Sequence, residues 1–227
     1  MLDSDIKYWV ALNSVDGLGP VHFQQLLKYF GGAENAWNAS VADLQQLQFS
    51  EKLTESFLRT RKNLDLETTM ERLNKLGVRV LTISSPDYPP LLKKIYDPPP
   101  VLYVRGTIIK EDELAVAIVG SRRMTQYGKE VTENLVQNLV AHGLTIVSGL
   151  ARGIDTEAHQ AALSVGGRTI AVLGCGLDLV YPPENTFLAG KIIQNGALLS
   201  EYPLGYPAMP INFASRNRII SVWLRPF

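Results

Sequence analysis

The chain has 227 residues, enough for one large domain or two modest ones, and its 46% hydrophobic and 19% charged residues exclude a disordered chain. Lysine plus arginine and aspartate plus glutamate balance at 22 each, which excludes a highly basic DNA-coating protein and leaves any anion site to local clustering. A single cysteine, Cys175, excludes a disulfide scaffold; with neither a secretory leader nor an apolar run of ~18 to 20 residues, the expectation is a cytoplasmic protein without a membrane span.

The first third reads as helical. Ile6 to Leu12 carries an apolar stripe, and Gly17-Leu18-Gly19-Pro20 makes a tight turn. Pro20 suits the first position of a second helix, where Val21, Phe23, Leu26, Leu27 and Phe30 recur at helical spacing until Gly31-Gly32. Ser40 caps a short helix through Leu47, and a longer helix is expected from about Ser50 to Leu76, stopped by Gly77. The turn at Gly17 resembles a helix-hairpin-helix, which presents backbone N–H groups to DNA phosphates. Residues 1–76 hold 8 Lys/Arg against 10 Asp/Glu, and that net of −2 favours a plain interhelical turn.

After Gly77 the period changes. Val78 to Ile83 alternates like a strand, Pro86 to Pro100 is proline-punctuated, and Val101 to Val104 reads as another short strand. Buried strands are then expected at Leu114 to Val119, Leu144 to Ser148, Thr169 to Leu173 and Ala197 to Ser200. Helices are expected at Thr125 to His142, Asp155 to Val165 and Glu184 to Gln194. Near-continuous apolar strands alternating with helices predict an α/β fold, a parallel sheet with helices on both faces. The domain division expected is 1–76, all helical, and 77–227.

Ligands of such sheets bind beyond the carboxyl ends of the strands. Those ends run into Gly120-Ser121-Arg122-Arg123, Ser148-Gly149-Leu150-Ala151-Arg152-Gly153-Ile154-Asp155 and Gly174-Cys175-Gly176-Leu177-Asp178. Glycines admit a close-lying ligand, a following helix offers N–H groups, and Arg122 and Arg152 add bidentate phosphate donors. Farther on, Asn212-Phe213-Ala214-Ser215-Arg216-Asn217-Arg218 puts an aromatic beside two arginines and two amides. Single-stranded nucleic acid suits that mixture, because arginines track phosphates and an exposed ring stacks on any base. The plainer alternative stays open: a strand-end arginine can simply solvate a rim, and Phe213 can be core.

Catalytic and cofactor signals are thin. Gly174-Cys175-Gly176 lacks the third glycine of a dinucleotide loop, and no acidic residue closes the second strand to grip a ribose. His22, His142 and His159 are scattered without metal-ligand spacing, and Ser148 stands in no nucleophile elbow. Asp155 and His159, one helical turn apart, read as a structural hydrogen bond and Cys175 as a buried filler. The expectation is no cofactor, no metal and no catalysis. A competing reading is an enzyme acting on nucleotides or phosphoribosyl groups at the same rim, with Asp155 or Glu201 as base. A third is a structural adaptor for a recombination protein.

The ordered motifs resemble one family. Asp87-Tyr88-Pro89, Tyr96-Asp97-Pro98-Pro99, Leu102 to Gly106, Ile118 to Arg122, Ser148 to Asp155, Ala158-His159, Val172 to Asp178, Tyr181-Pro182, Glu184-Asn185, Ser200 to Pro203, and Phe213 with Arg216 to Ser221 are similar to DNA-processing protein A, the DprA/Smf family. The match covers about Pro86 to Ser221, and the front end fits that family's helix-hairpin-helix or SAM-like region more loosely. The resemblance implies a Rossmann-like DNA-binding domain that holds incoming single-stranded DNA during natural transformation, shields it from nucleases and helps load the RecA recombinase. It implies a DNA pocket of Gly120, Ser121, Arg122, Ser148, Gly149, Arg152, Gly153, Asn212, Phe213, Arg216 and Arg218, and a homodimer. After Ser221 the family continues with Gly-Leu-Ser and further strands, whereas this chain reads Val222-Trp223-Leu224-Arg225-Pro226-Phe227. The expectation is a truncated Rossmann-like domain with an exposed apolar edge and poor solubility. Much of the family's dimer and recombinase surface would lie beyond it.

Overall fold

The computed structural model describes residues 3–222, so Trp223 to Phe227 of the departing tail lie outside the described residues. Two compact units divide after Leu102. No helix among the described residues is long and apolar enough to cross a membrane.

The first unit holds α1 (Asp3–Asn13), α2 (Pro20–Phe30), α3 (Ala33–Trp37), α4 (Val41–Gln46), α5 (Glu51–Asn63), α6 (Leu66–Lys75) and β1 (Val78–Thr82). Pro20 begins α2 as expected, and Gly31 ends it with φ +76. Ser40 and Asp43 bond each other's backbone in a capping box at α4. The single helix expected from Ser50 to Leu76 is two. Leu64 leaves the helical region, and the Asp65 carboxylate accepts the Thr68 N–H at 3.1 Å, restarting the chain as α6. The core is aromatic: the Trp9 and Phe23 rings lie 5.4 Å apart, and those of Trp37 and Phe57 5.6 Å. At the Gly17 turn, the Leu18 and Gly19 N–H groups bond the carbonyls of Val15 and Gly17, so both are already engaged.

Strand β2 (Val101–Gly106) begins in the first unit and ends in the second. The second unit continues with β3 (Ala115–Ala117), α7 (Gln126–Ala141), β4 (Thr145–Ser148), α8 (Ile154–Ser164), β5 (Thr169–Val172), α9 (Thr186–Asn195), β6 (Gly196–Ser200) and α10 (Pro210–Ser221). Within this unit the strand order is β2-β6-β5-β4-β3. From β3 to β6 the strands are parallel, in register from Ala115 opposite Thr145 to Val172 opposite Leu199. The sheet is nevertheless mixed, because β2 runs antiparallel to β6, with Tyr103 opposite Ser200. Strands β4, β5 and β6 are buried throughout, so both faces of the sheet are covered there. Alanines 158, 161 and 162 of α8 pack with Val136 of α7 and Ile146 of β4. At the outer side of β3, the flanking Leu114 and Val119 are exposed.

One buried carboxylate ties the amino ends of the parallel strands together. Asp112, fully buried, accepts the Thr145 hydroxyl at 2.9 Å and both Nε and Nη2 of Arg168 at 2.9 Å. It also accepts the Ile109 N–H, and Arg168 Nη2 donates onward to the Thr107 carbonyl. The charges of Asp112 and Arg168 thus meet each other directly.

Candidate nucleic-acid interface

The carboxyl ends of β3, β4 and β5 feed three loops, and α10 lies across their exits. Its register explains how. Asn212 and Arg216, one turn apart, share the inward face of α10. Asn212 Nδ2 donates to the carbonyls of Gly174 (3.0 Å) and Pro207 (3.2 Å). Arg216, only 3% exposed, donates through Nη1 to the Gly149 carbonyl at 2.7 Å and to the Val172 carbonyl. One guanidinium thus ties the ends of β4 and β5 to α10. Phe213, beside Asn212, is turned toward the rim and remains half-buried.

Gly149 makes this possible. A Cβ there would lie 2.4 Å from Arg216 Nη2, so the glycine admits an internal arginine rather than a ligand. Gly153, with φ +75, carries the chain into α8; its Cβ would lie 2.1 Å from the Ser121 carbonyl. Between them Leu150 also has a positive φ, +57, and Asn185 holds it there by donating to its carbonyl at 2.9 Å.

The α8 N-terminus is occupied from within. Ile154 N–H bonds the Ser121 carbonyl and Thr156 N–H the Ala151 carbonyl. The buried Asp155 carboxylate accepts the Gly149 N–H at 3.1 Å. Burial lifts the Asp155 pKa, against the pull of Arg216 and of nearby backbone N–H groups. Burial likewise lowers that of Arg216, which Asp155 opposes. His159 is wholly buried. Because the Thr169 hydroxyl is spent on the Ile146 carbonyl, His159 Nδ1 carries the proton and donates to Thr169 Oγ1 at 2.6 Å. Desolvation, then the Arg216 charge, pulls the His159 pKa down to about 3.

What remains open to solvent is a small cleft lined by Arg122, Gly149, Ala151, Arg152, Tyr181, Pro182 and Phe213. The Arg122 guanidinium lies 5.4 Å from the centroid of Phe213, and the Tyr181 ring lies 5.5 Å from it, tilted by 30°. Arg122 makes no ion pair among the described residues. Arg152 pairs with Glu184, Nε to Oε1 at 2.5 Å, which raises the arginine's pKa and lowers the glutamate's.

Of the residues expected at a DNA pocket, Arg122, Gly149, Arg152 and Phe213 line this cleft together. Gly120 and Ser121 are exposed, on the loop that receives α8, and Gly153 shapes the same junction. Ser148, Asn212 and Arg216 are buried beneath it, where they face protein rather than solvent. Arg218 bonds Glu201 and is outside the lining. Asp155 and Glu201, the bases required by the enzyme reading, do not line the cleft either. Sequence reasoning missed Tyr181 and Glu184 as site residues. Their signal was present: an aromatic set against two prolines just past a glycine-rich strand exit. No cluster of metal-ligating side chains occurs among the described residues.

Residues 79–225 match the family of DNA recombination-mediator protein A. Protein Smf of Synechocystis is 44% identical over 226 residues, covering 97% of this chain and 57% of the relative. Protein Smf of Escherichia coli is 35% identical, covering 97% and 58%. The chain therefore spans a little over half the length of these relatives. The crystal structure of DNA processing protein A from Streptococcus pneumoniae superposes with a TM-score of 0.75 at 33% identity, over 96% of this chain and 75% of that one. The Helicobacter pylori DNA processing protein A, solved for its single-stranded DNA binding mode, superposes with a TM-score of 0.58 at 35% identity, over 65% and 66%.

Proposed function

The chain belongs to the DNA recombination-mediator protein A family, and on that premise we propose that it binds single-stranded DNA, with little sequence preference, at the Arg122–Phe213 cleft. The observation that carries this is the unpaired Arg122 guanidinium laid against a half-exposed ring. Arg122 supplies a phosphate donor, and Phe213 supplies a stacking surface that accepts any base. Support also comes from the named single-stranded DNA binding of the Helicobacter relative.

Asn212 and Arg216 act here as positioning residues that hold Phe213, and Gly120, Ser121 and Gly153 shape the rim. Gly149 lines the cleft at the strand end, and Ser148 lies beneath it. Arg218 fixes the far end of α10 through Glu201. The wider role proposed is that of the family: protecting incoming DNA and loading the RecA recombinase.

Fluorescence anisotropy with single- and double-stranded oligonucleotides at two salt concentrations tests the binding reading. Single strands should bind more tightly, and log K should fall with log salt by roughly 0.7 per phosphate neutralised. Arg122→Ala should lower affinity alike for all sequences and reduce the slope by one such step. Equal affinity of wild type and Arg122→Ala would overturn the site.

A further inference from the structure

We propose that Tyr181 is a second base-stacking residue of the cleft, taking the nucleobase next to the one on Phe213; this rests on the single-strand reading above. Tyr181 is 42% exposed, whereas Tyr88 and Tyr103, the tyrosines that serve as core, are each 1% exposed. Its exposed ring is not isolated. It lies 5.5 Å from Phe213 at a 30° tilt, so the two rings pack against each other as one aromatic pair, with Arg122 over Phe213 and Arg152 near Tyr181. A pair of rings between two guanidinium groups fits a chain that alternates flat, sequence-variable bases with phosphates.

Tyr181 is also held in place before any ligand arrives. Pro182 and Pro183 follow it directly, and Asn185 anchors the segment by donating to the Leu150 carbonyl and to Thr156 Oγ1 at 2.8 Å. On the other side, Asp178 accepts the Gly205 N–H at 2.8 Å. A ring on such a segment loses little freedom when a base covers it.

The test compares an oligothymidylate with an abasic oligonucleotide of the same length, which offers phosphates without bases. Tyr181→Leu, which keeps an apolar contact for Phe213, should bind oligothymidylate about ten-fold more weakly and the abasic strand within two-fold of wild type. Tyr181→Phe should bind both within two-fold of wild type. Tyr181→Trp should gain an emission quenched by oligothymidylate and not by the abasic strand, which reports contact with the base itself. The proposal is overturned if Tyr181→Leu binds oligothymidylate like wild type, if it loses equally on both strands, or if the Tyr181→Trp emission ignores the bases. Wild type failing to bind either strand would instead overturn the single-strand reading, and this proposal with it.

Discussion

The two ends of the parallel strands hold arginines under opposite conditions. At the amino ends Arg168 is consumed: Asp112 takes two of its donors, a backbone carbonyl takes another contact, and Thr145 completes the carboxylate. At the carboxyl ends Arg216 is buried against carbonyl groups, and Arg122 rests on an aromatic face without a carboxylate partner. Residues 114–227 hold 9 Lys/Arg and 7 Asp/Glu, so the count of charges does not separate the two ends. The availability of charge does. A saturated arginine contributes to the fold, and the unsaturated one at the glycine-lined rim is the one proposed to meet a ligand.

The largest effect should come from opening the saturated end. Asp112→Ala leaves Arg168 and Thr145 without their acceptor and should cost about 3 to 5 kcal/mol in urea unfolding. Oligonucleotide affinity per folded molecule should stay within two-fold of wild type. A large loss of affinity would mean the ends are coupled and the contrast is false.

Next in size is Gly149→Ala, which crowds the Arg216 guanidinium at the other end. It should destabilise by about 1 to 3 kcal/mol and also weaken single-strand binding, because Phe213 rides on the helix that Arg216 holds. Stability lost with affinity unchanged would separate α10 from the site.

His159 sharpens the comparison through pH. Its folded pKa, about 3, lies below the unfolded value of 6.5, so below pH 6.5 the unfolded state binds a proton that the native state refuses. Stability should therefore fall as pH drops, by about 2 kcal/mol between pH 7 and 5 from this residue alone. Asp155, whose carboxyl is lifted, works in the opposite sense. Urea unfolding at pH 7, 6 and 5 should show a flatter dependence in His159→Asn than in wild type. Parallel curves would place the acid sensitivity elsewhere.

The smallest effect is expected at Glu184→Gln, which removes the carboxylate paired with Arg152. Single-strand affinity should rise about two- to five-fold at low salt, and the gain should fade as screening increases. A fall in affinity would show that Glu184 positions Arg152 rather than competing with phosphate.

Much of this was legible in the residues. Alternating apolar runs and helices located β3 to β6 and α7 to α9, and the glycines at Gly120, Gly149 and Gly153 marked the strand ends that meet at the cleft. Three things were not legible, each for a physical reason. A buried run of residues does not encode strand direction, so the antiparallel β2 looked like any other. Asp65 can cap a helix only if the preceding turn unwinds, which helical periodicity across Ser50 to Leu76 concealed. Gly149 and Arg216 each read as ligand-facing alone; only the fold reveals that they face each other.

The lone cysteine gives the carboxyl-end loops a built-in clock. Cys175 sits just past β5, 1% exposed, its carbonyl held by the Ser200 hydroxyl at 2.7 Å. Burial and the nearby Asp178 push its thiol up to about 11, so in the closed state it offers almost no thiolate to a reagent. Alkylation of this chain must then wait for that loop to open, and every labelled molecule records one opening at one known place. A strand lying in the cleft should slow the labelling, so alkylation of the native Cys175 would report occupancy without an engineered cysteine.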